Sequence, residues 1–239
     1  MQIEDYLLTP GVSHGRSGRA LTSLGTVVHY VGNPGSSALA NRNWFENGSG
    51  GANSSAHYIV GLNGEILRCV PENECAAHAG KSYGAEWTEM SKTNNSRFIG
   101  IESCHPGADG KFNEQTTNSL VELVADICLR YKLNPDTDVY RHYDVCGKSC
   151  PLYYVNNPVE WTALKTKFKE KLHQLTIAQE AKLDTPPAAD DNAPSNWAVE
   201  SWNWAKQNGV VDGTRPTAAA TREECAAILF NFNTLLKKE

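Results

Sequence analysis

Short apolar runs, separated by segments of helical period, constrain the fold of this chain more than any other feature. TVVHYV (26–31) and RFIGIES (97–103) are rich in apolar residues and are typical of buried strands. Between them, AHYIVGLNGEILRCV (56–70) has two apolar halves around Asn63-Gly64. That dipeptide predicts a hairpin with a type I′ turn, because both residues tolerate positive φ.

Two later segments have the period of a helix. In the first, apolar residues recur at helical spacing at Leu120, Leu123, Val124, Ile127 and Tyr131. The second begins near Pro158, a favoured first helical residue, and its apolar face consists of Trp161, Leu164, Phe168 and Leu172. DVYRH (138–142) is a further predicted strand, and strands interrupted by helices predict an α/β domain.

The composition changes after the second helix. Residues 177–195 are interpreted as a linker, since Ala181 to Ser195 is rich in Pro, Ala and Asp. Residues 196–239 regain helical signals, with a stop at Gly209 and a capping box formed by Thr221 and Glu224. We therefore expect a small C-terminal helical unit whose own core is marginal.

Charge and length exclude several classes of function. The chain has 239 residues and a net charge of −5, so no basic field attracts nucleic acid or an anionic membrane. No apolar run approaches the length of a membrane span. The start, MQIEDYLLTPGVSHGR, lacks the basic and apolar regions of a signal peptide, and synthesis in the cytoplasm is expected.

The stretch YRHYDVCGKSCP (140–151) concentrates metal-ligating side chains. His142 and Cys150 are zinc ligand types, and His29, His57 and His78 are candidates for a third ligand. Spacing alone does not choose among these histidines. A competing hypothesis is a structural zinc knuckle formed by the pairs Cys146–Cys150 and Cys69–Cys75, although their spacings match such sites poorly.

Several segments, in this order, resemble the zinc-dependent N-acetylmuramoyl-L-alanine amidases, the family of phage endolysins, autolysins and peptidoglycan recognition proteins. The matching segments are LLTPGVSHGRSGRAL, VVHYVGNPGSSALANRNWFENG, SSAHYIVGLNGEI, AAHAG, FIGIESCHPGADGKF and RHYDVCGKSCPLYYV. The resemblance implies a catalytic domain over 1–176, with a central mixed β-sheet flanked by helices. It also implies a Zn²⁺ cofactor and peptidoglycan as the partner.

The resemblance assigns roles to individual residues. It implies that His29, His142 and Cys150 are the zinc ligands. Glu102 in FIGIES matches the general base, and Lys148 matches the oxyanion stabiliser.

Three further positions are interpreted through the same resemblance. His78 matches a histidine that lines the substrate cleft, although Ala77 replaces the usual aromatic residue before it. His57 matches a position that is not a ligand and is expected to serve packing. Cys146 stands where many relatives have threonine and is interpreted as a bystander.

The function implied is hydrolysis of the amide between N-acetylmuramic acid and L-alanine, at the bacterial cell wall, by a prophage-type endolysin. The alternative is a wall-binding protein on the same fold without catalysis. In non-catalytic relatives the cysteine ligand is typically lost, and Cys150 is present here, which favours the enzyme.

The C-terminal unit resembles a single surface-layer-homology-like module, a type that anchors enzymes to wall polymers. Trp197, Trp202 and Trp204 are a candidate sugar-stacking surface. The same tryptophans also fit the core of a two-helix unit or a dimer contact. Wall binding is the favoured interpretation, with self-association as its rival.

Overall fold

The computed structural model describes residues 1–22, 25–184, 194–214, 219–220 and 222–237. The chain divides into two compact units, 1–177 and 178–239.

The strands are β1 (Glu4–Asp5), β2 (Arg16–Ala20), β3 (Gly25–Tyr30), β4 (Tyr58–Val60), β5 (Ile66–Arg68), β6 (Glu74–Ala76), β7 (Phe98–Ser103) and β8 (Val139–Arg141). The α-helices are α1 (Ala38–Glu46), α2 (Thr88–Arg97), α3 (Glu114–Tyr131), α4 (Pro135–Asp138), α5 (His142–Cys146), α6 (Leu152–Asn156), α7 (Pro158–Asp184), α8 (Val199–Gln207) and α9 (Arg222–Leu236).

The first unit is built around a six-stranded mixed sheet with the order β1-β5-β4-β7-β3-β8. Strand β3 is parallel to both β7 and β8, so the carboxyl ends of these three strands lie along one edge. A separate antiparallel pair joins β2 to β6. The predicted α/β class, with a mixed central sheet flanked by helices, is confirmed.

The apolar core lies mainly on one face of this sheet. Val28, Ile99 and Ile101 project from β3 and β7 into a cluster of buried residues. Helix α3 contributes Leu120, Leu123, Val124 and Ile127 to that cluster, and α7 contributes Trp161, Leu164 and Phe168. Because side chains alternate along a strand, Val27 and His29 face the opposite side.

The predicted hairpin is present, but its predicted turn type is wrong. Strands β4 and β5 pair antiparallel. The Gly61 N–H donates to Glu65 O at 2.8 Å, and Gly64 has φ +84°, whereas Asn63 is not among the residues with positive φ. Contacts with α3 set this longer loop, since Thr116 Oγ1 donates to Gly61 O at 2.9 Å.

The predicted linker over 177–195 overlaps the end of helix α7. Helix α7 continues to Asp184, and residues 185–193 lie outside the described part of the chain. The sequence IAQEAKLD (177–184) consists largely of good helix formers and has no proline before position 186, so the helix does not stop there.

The C-terminal unit contains the two expected helices, α8 and α9. The ring centroids of Trp204 and Phe232 lie 6.5 Å apart, and Val210 is buried. Trp197 is 88% exposed and Phe230 is 70% exposed, so large apolar side chains of this unit face solvent. The predicted cap residue Thr221 lies outside the described residues.

The seven cysteines are all free, and six of them are buried. Within the described ranges, no helix combines the length and the apolar character needed to cross a membrane.

Candidate metal centre

Three side chains that are distant in sequence converge at the carboxyl edge of the sheet. His29 is on β3, His142 is the first residue of α5 directly after β8, and Cys150 follows α5. Their ligand atoms all lie within 4.8 Å of one another. His29 Nδ1 is 2.9 Å from His142 Nδ1 and 3.8 Å from Cys150 Sγ.

Local structure at α5 brings Cys150 to the histidines. The Asp144 carboxylate accepts from Arg141 N at 2.8 Å, which caps the start of the helix beside His142. Gly147 ends the helix with φ +79°, a conformation that glycine adopts at little cost. The chain then reverses, and Tyr143 N donates to Cys150 O at 3.0 Å.

The chemistry of these three groups fits a divalent zinc ion. Bonds of about 2.0–2.1 Å to nitrogen and about 2.3 Å to sulfur place tetrahedral ligands roughly 3.3–3.6 Å apart, close to the separations found here. Before a cation binds, burial lowers the pKa of His142 to about 3 and that of His29 well below its usual value. Both imidazoles are therefore neutral, as metal ligation requires.

The third ligand must lose a proton to bind a metal. Burial raises the pKa of the Cys150 thiol above its ordinary value. Formation of the thiolate is consequently coupled to metal binding, which releases the proton.

Glu102 lies beside the cluster on the neighbouring strand. Its Cα pairs in register with that of His29 across β3 and β7, so both side chains project from the same face. Glu102 Oε2 is buried and has no hydrogen-bond partner within the described residues. Burial raises the pKa of this carboxyl to about 8, an effect that the positive charge of Lys148 partly offsets.

Lys148 is an exposed residue that is electrostatically coupled to the buried groups. Its charge lowers the pKa of His29 and His142 as well as that of Glu102. Partial desolvation by the surrounding protein acts to lower the pKa of the Lys148 ammonium, but the negative charges of Cys150 and Glu102 outweigh this effect and raise it. The ammonium is therefore charged near neutral pH.

His78 contacts a ligand of the cluster directly. His29 Nε2 is 3.0 Å from His78 Nδ1, and His78 Nε2 is 3.0 Å from Phe98 O. The contact between His78 and substrate stays a prediction, and both ring nitrogens already have partners in the protein.

The other candidates lie outside the cluster. His57 accepts from Gly100 N at 3.0 Å and contacts Glu74 O through Nε2 at 2.9 Å, as expected of a packing residue. Over the described residues, His29, His142 and Cys150 are the sole group of at least three potential ligands. The alternative zinc knuckle of Cys146–Cys150 and Cys69–Cys75 has no such group there.

Sequence reasoning missed Tyr83. Its ring centroid lies 6.5 Å from that of His142, with the rings nearly perpendicular, and the side chain is 47% exposed. Tyr83 N donates to Cys146 O at 2.8 Å, which attaches this loop to α5. The segment GKSYGAE (80–86) carries no periodic or motif signal that would have identified it.

The fold and the cluster define an α/β domain with three potential metal ligands at the carboxyl edge of its sheet. The family profile described as N-acetylmuramoyl-L-alanine amidase matches residues 21–152, more than half of the chain. The chain therefore belongs to the N-acetylmuramoyl-L-alanine amidase family.

Individual relatives agree with this membership. The N-acetylmuramoyl-L-alanine amidase CwlL of Bacillus licheniformis is 36% identical over 159 residues, covering 65% of this chain and 43% of that protein. BlyA of Bacillus subtilis, also named an N-acetylmuramoyl-L-alanine amidase, is 30% identical over 161 residues. The match covers 64% of this chain and 43% of that protein. The chain thus spans less than half the length of these curated relatives.

A solved structure, a mutant endolysin from Bacillus subtilis, superposes with a TM-score of 0.57 at 26% identity. The match covers 70% of this chain and 99% of that one. The catalytic domain of XlyA gives the same TM-score at 27% identity, and the match covers 70% of this chain and 99% of that one.

Proposed function

We propose that this protein is a zinc-dependent N-acetylmuramoyl-L-alanine amidase that acts on bacterial peptidoglycan. The observation that carries the proposal is the convergence of His29, His142 and Cys150 beside the buried carboxyl of Glu102. Family membership supports the same activity. The bond cut is the amide that joins N-acetylmuramic acid to L-alanine.

His29, His142 and Cys150 hold the zinc ion. Three protein ligands are typical of a catalytic zinc, whereas a structural zinc has four. When bound, zinc supplies a water of lowered pKa and polarises the carbonyl of the amide.

Glu102 is the general base and then the general acid. Burial raises the pKa of this carboxyl to about 8 in the absence of metal, and the charge of a bound zinc ion would lower it toward the neutral range that suits a general base. Its Oε2 takes a proton from the attacking water and delivers it to the nitrogen of the leaving amine. The missing hydrogen-bond partner of Oε2 within the described residues leaves this oxygen available for both transfers.

Lys148 stabilises the oxyanion that forms on the carbonyl oxygen. The lysine is exposed at the site, and its charge acts on the buried titratable groups around it, which include His29, His142, Glu102 and Cys150. A positive charge near the developing negative charge stabilises the transition state and so lowers the barrier.

Digestion of purified cell walls tests the proposed reaction. We expect stem peptides with a free L-alanine amino group, and glycan chains that keep intact muramic acid. Treatment with a strong chelator should abolish their release, and added zinc should restore it. Cleavage within the glycan, or release that a chelator leaves unchanged, would contradict the proposal. A wall-binding protein without catalysis would bind the walls and release nothing.

The C-terminal unit is proposed to bind wall polymer, and a prophage endolysin is the proposed biological context. Exposed Trp197 and Trp204 support sugar stacking, as does a cavity of about 330 Å³ lined in part by Trp202, Asp212 and Glu224.

The full chain and its Trp197→Ala and Trp204→Ala variants can be compared for binding to purified walls. Weaker binding by the variants is expected. A concentration-dependent mass that the variants abolish, with wall binding unchanged, would favour self-association instead.

A further inference from the structure

A chain of hydrogen bonds connects the backbone of β7 to the metal cluster through His78. His78 Nε2 lies 3.0 Å from the carbonyl oxygen of Phe98, and His78 Nδ1 lies 3.0 Å from His29 Nε2. The remaining nitrogen of His29, Nδ1, is the atom that faces His142 and Cys150. Each imidazole nitrogen of His78 and His29 therefore has a defined neighbouring atom.

The protonation of each nitrogen follows from these neighbours. A carbonyl oxygen only accepts, so His78 Nε2 must carry a proton and donate it to Phe98 O. A neutral imidazole has one N–H, which leaves a lone pair on His78 Nδ1. His29 Nε2 must then be the donor to His78, and the lone pair of His29 is on Nδ1.

The surroundings of both rings favour the neutral form. His29 is buried, and within the described residues neither ring hydrogen-bonds a carboxylate that would stabilise a second proton. A histidine must also be neutral to bind a metal ion. Each ring therefore has a single tautomer that satisfies its neighbours.

The position of His78 is itself fixed on two sides. A Cβ atom at Gly100 would lie 2.6 Å from His78 Cγ, so the ring packs directly on the backbone of β7. Asn95 Oδ1 accepts from His78 N at 3.0 Å and from Ala79 N at 2.8 Å. An imidazole held this firmly can orient a second one.

We propose that His78 is a positioning residue that acts through His29: it selects the tautomer with a free Nδ1 and fixes the ring in the orientation that binds metal. The inference rests on the proposed zinc site. It differs from a direct contact with substrate, since both nitrogens of His78 are engaged within the protein. Loss of a hydrogen-bond partner of a metal-binding histidine typically weakens metal affinity about 10–100-fold.

Zinc affinity of the full chain tests the role independently of hydrolysis. We expect His78→Ala to weaken zinc binding about 10–100-fold in a competition assay with a chromophoric chelator. His78→Asn should restore most of the affinity, because Asn Oδ1 is placed to accept from His29 Nε2. The matched control is His57→Asn. The His57 ring packs against His78, with centroids 5.9 Å apart, but its hydrogen bonds go to the backbone of Gly100 and Glu74 and not to the cluster. The zinc affinity of this variant should stay close to that of the wild type.

The unfolding free energy of each zinc-free variant separates positioning from general destabilisation. Equal losses of zinc affinity in His78→Ala and His57→Asn, in proportion to lost stability, would overturn the inference. So would wild-type zinc affinity in His78→Ala. If the wild-type protein itself bound no zinc, the proposed function would fail rather than this inference alone.

Nitrogen NMR of the zinc-free wild-type protein reads the tautomers without any substitution. Long-range proton–nitrogen correlations should find His29 and His78 neutral and protonated at Nε2. A proton on His29 Nδ1 would contradict the inference even if every variant failed to fold.

Discussion

The candidate metal centre differs from a second polar cluster of the same domain, which is only partly buried, in how its polar atoms are partnered. In the second, here called the Glu72 cluster, Glu72 accepts from Tyr58, Arg130 and Tyr131. Glu72 Oε1 lies 2.7 Å from Tyr58 Oη, and Glu72 Oε2 lies 2.9 Å from Tyr131 Oη. Arg130 donates to both carboxylate oxygens. At the metal centre, by contrast, Glu102 Oε2 and His142 Nε2 are buried without a partner within the described residues.

The pKa values of the two glutamates differ accordingly. Burial acts to raise the pKa of Glu72, but hydrogen bonds from Arg130 and Tyr58 outweigh it and lower the pKa. Burial also raises the pKa of Glu102. The charge of Lys148 offsets this effect only in part, so the pKa rises to about 8. A charge whose hydrogen bonds are all made serves stability, whereas a buried, unpartnered group with a raised pKa is a candidate for proton transfer.

The largest effect is expected from Cys150→Ser, which removes the sulfur ligand of the proposed centre. The variant should lose its zinc and its amidase activity, since a serine hydroxyl is a poor zinc ligand. Cys146→Ser is the matched control, because Cys146 is also buried and lies outside the cluster. Elemental analysis should find about one zinc per chain in the control. Loss of zinc from both variants would support a paired-cysteine site instead.

Glu102→Gln should separate metal binding from proton transfer. The amide is similar in size to the carboxyl but cannot act as a base, so kcat should fall about 10²–10⁴-fold. Zinc content should stay unchanged, since Glu102 is not among the clustered ligands. Wall-digestion rates at matched zinc occupancy provide the measurement, and near wild-type kcat would remove Glu102 from the mechanism.

A smaller loss is expected from Lys148→Met. Removal of one oxyanion donor costs about 10²–10³-fold in kcat in comparable enzymes. Because Lys148 is exposed, unfolding of the variant should closely resemble that of the wild type. A change confined to KM would indicate that Lys148 binds substrate without stabilising the transition state.

A substitution in the Glu72 cluster should change the stability of the protein but not its activity. Glu72→Gln replaces an acceptor with a donor facing Arg130, and we expect a loss of about 1–3 kcal/mol in unfolding free energy at neutral pH. Zinc content and kcat of the folded fraction should not change.

The stability difference should also depend on pH. The folded pKa of Glu72 is lowered from 4.5, so its contribution is present above that value and disappears as pH falls through the folded pKa. Denaturant unfolding of both proteins at several pH values checks this, and a difference that grew on acidification would be inconsistent with it.

Strands and helices with clear periods could be predicted from the sequence. The predicted run 26–31 corresponds to β3, the run 97–103 corresponds to β7, and the helical spacing from Leu120 onward corresponds to α3. These elements carry apolar faces buried in one core, so their pattern reflects their burial. The short strands β1 and β6 lack such a pattern and were not predicted.

The candidate site depended on information that the local sequence does not contain. His29 and Glu102 become neighbours only through the register of β3 with β7, and the sequence cannot supply a register between distant strands. The choice of His29 over His57 and His78 came from resemblance. The contact of His78 with His29 had no sequence signal, because it requires the ring to pack on Gly100.

Zinc K-edge X-ray absorption of the zinc-loaded full chain is the most direct measurement of the proposed centre. The expected spectrum has two imidazole nitrogens at about 2.0–2.1 Å, one sulfur at about 2.3 Å and one further light atom from solvent. Two sulfurs, or four ligands that all belong to the protein, would contradict a catalytic zinc held by His29, His142 and Cys150.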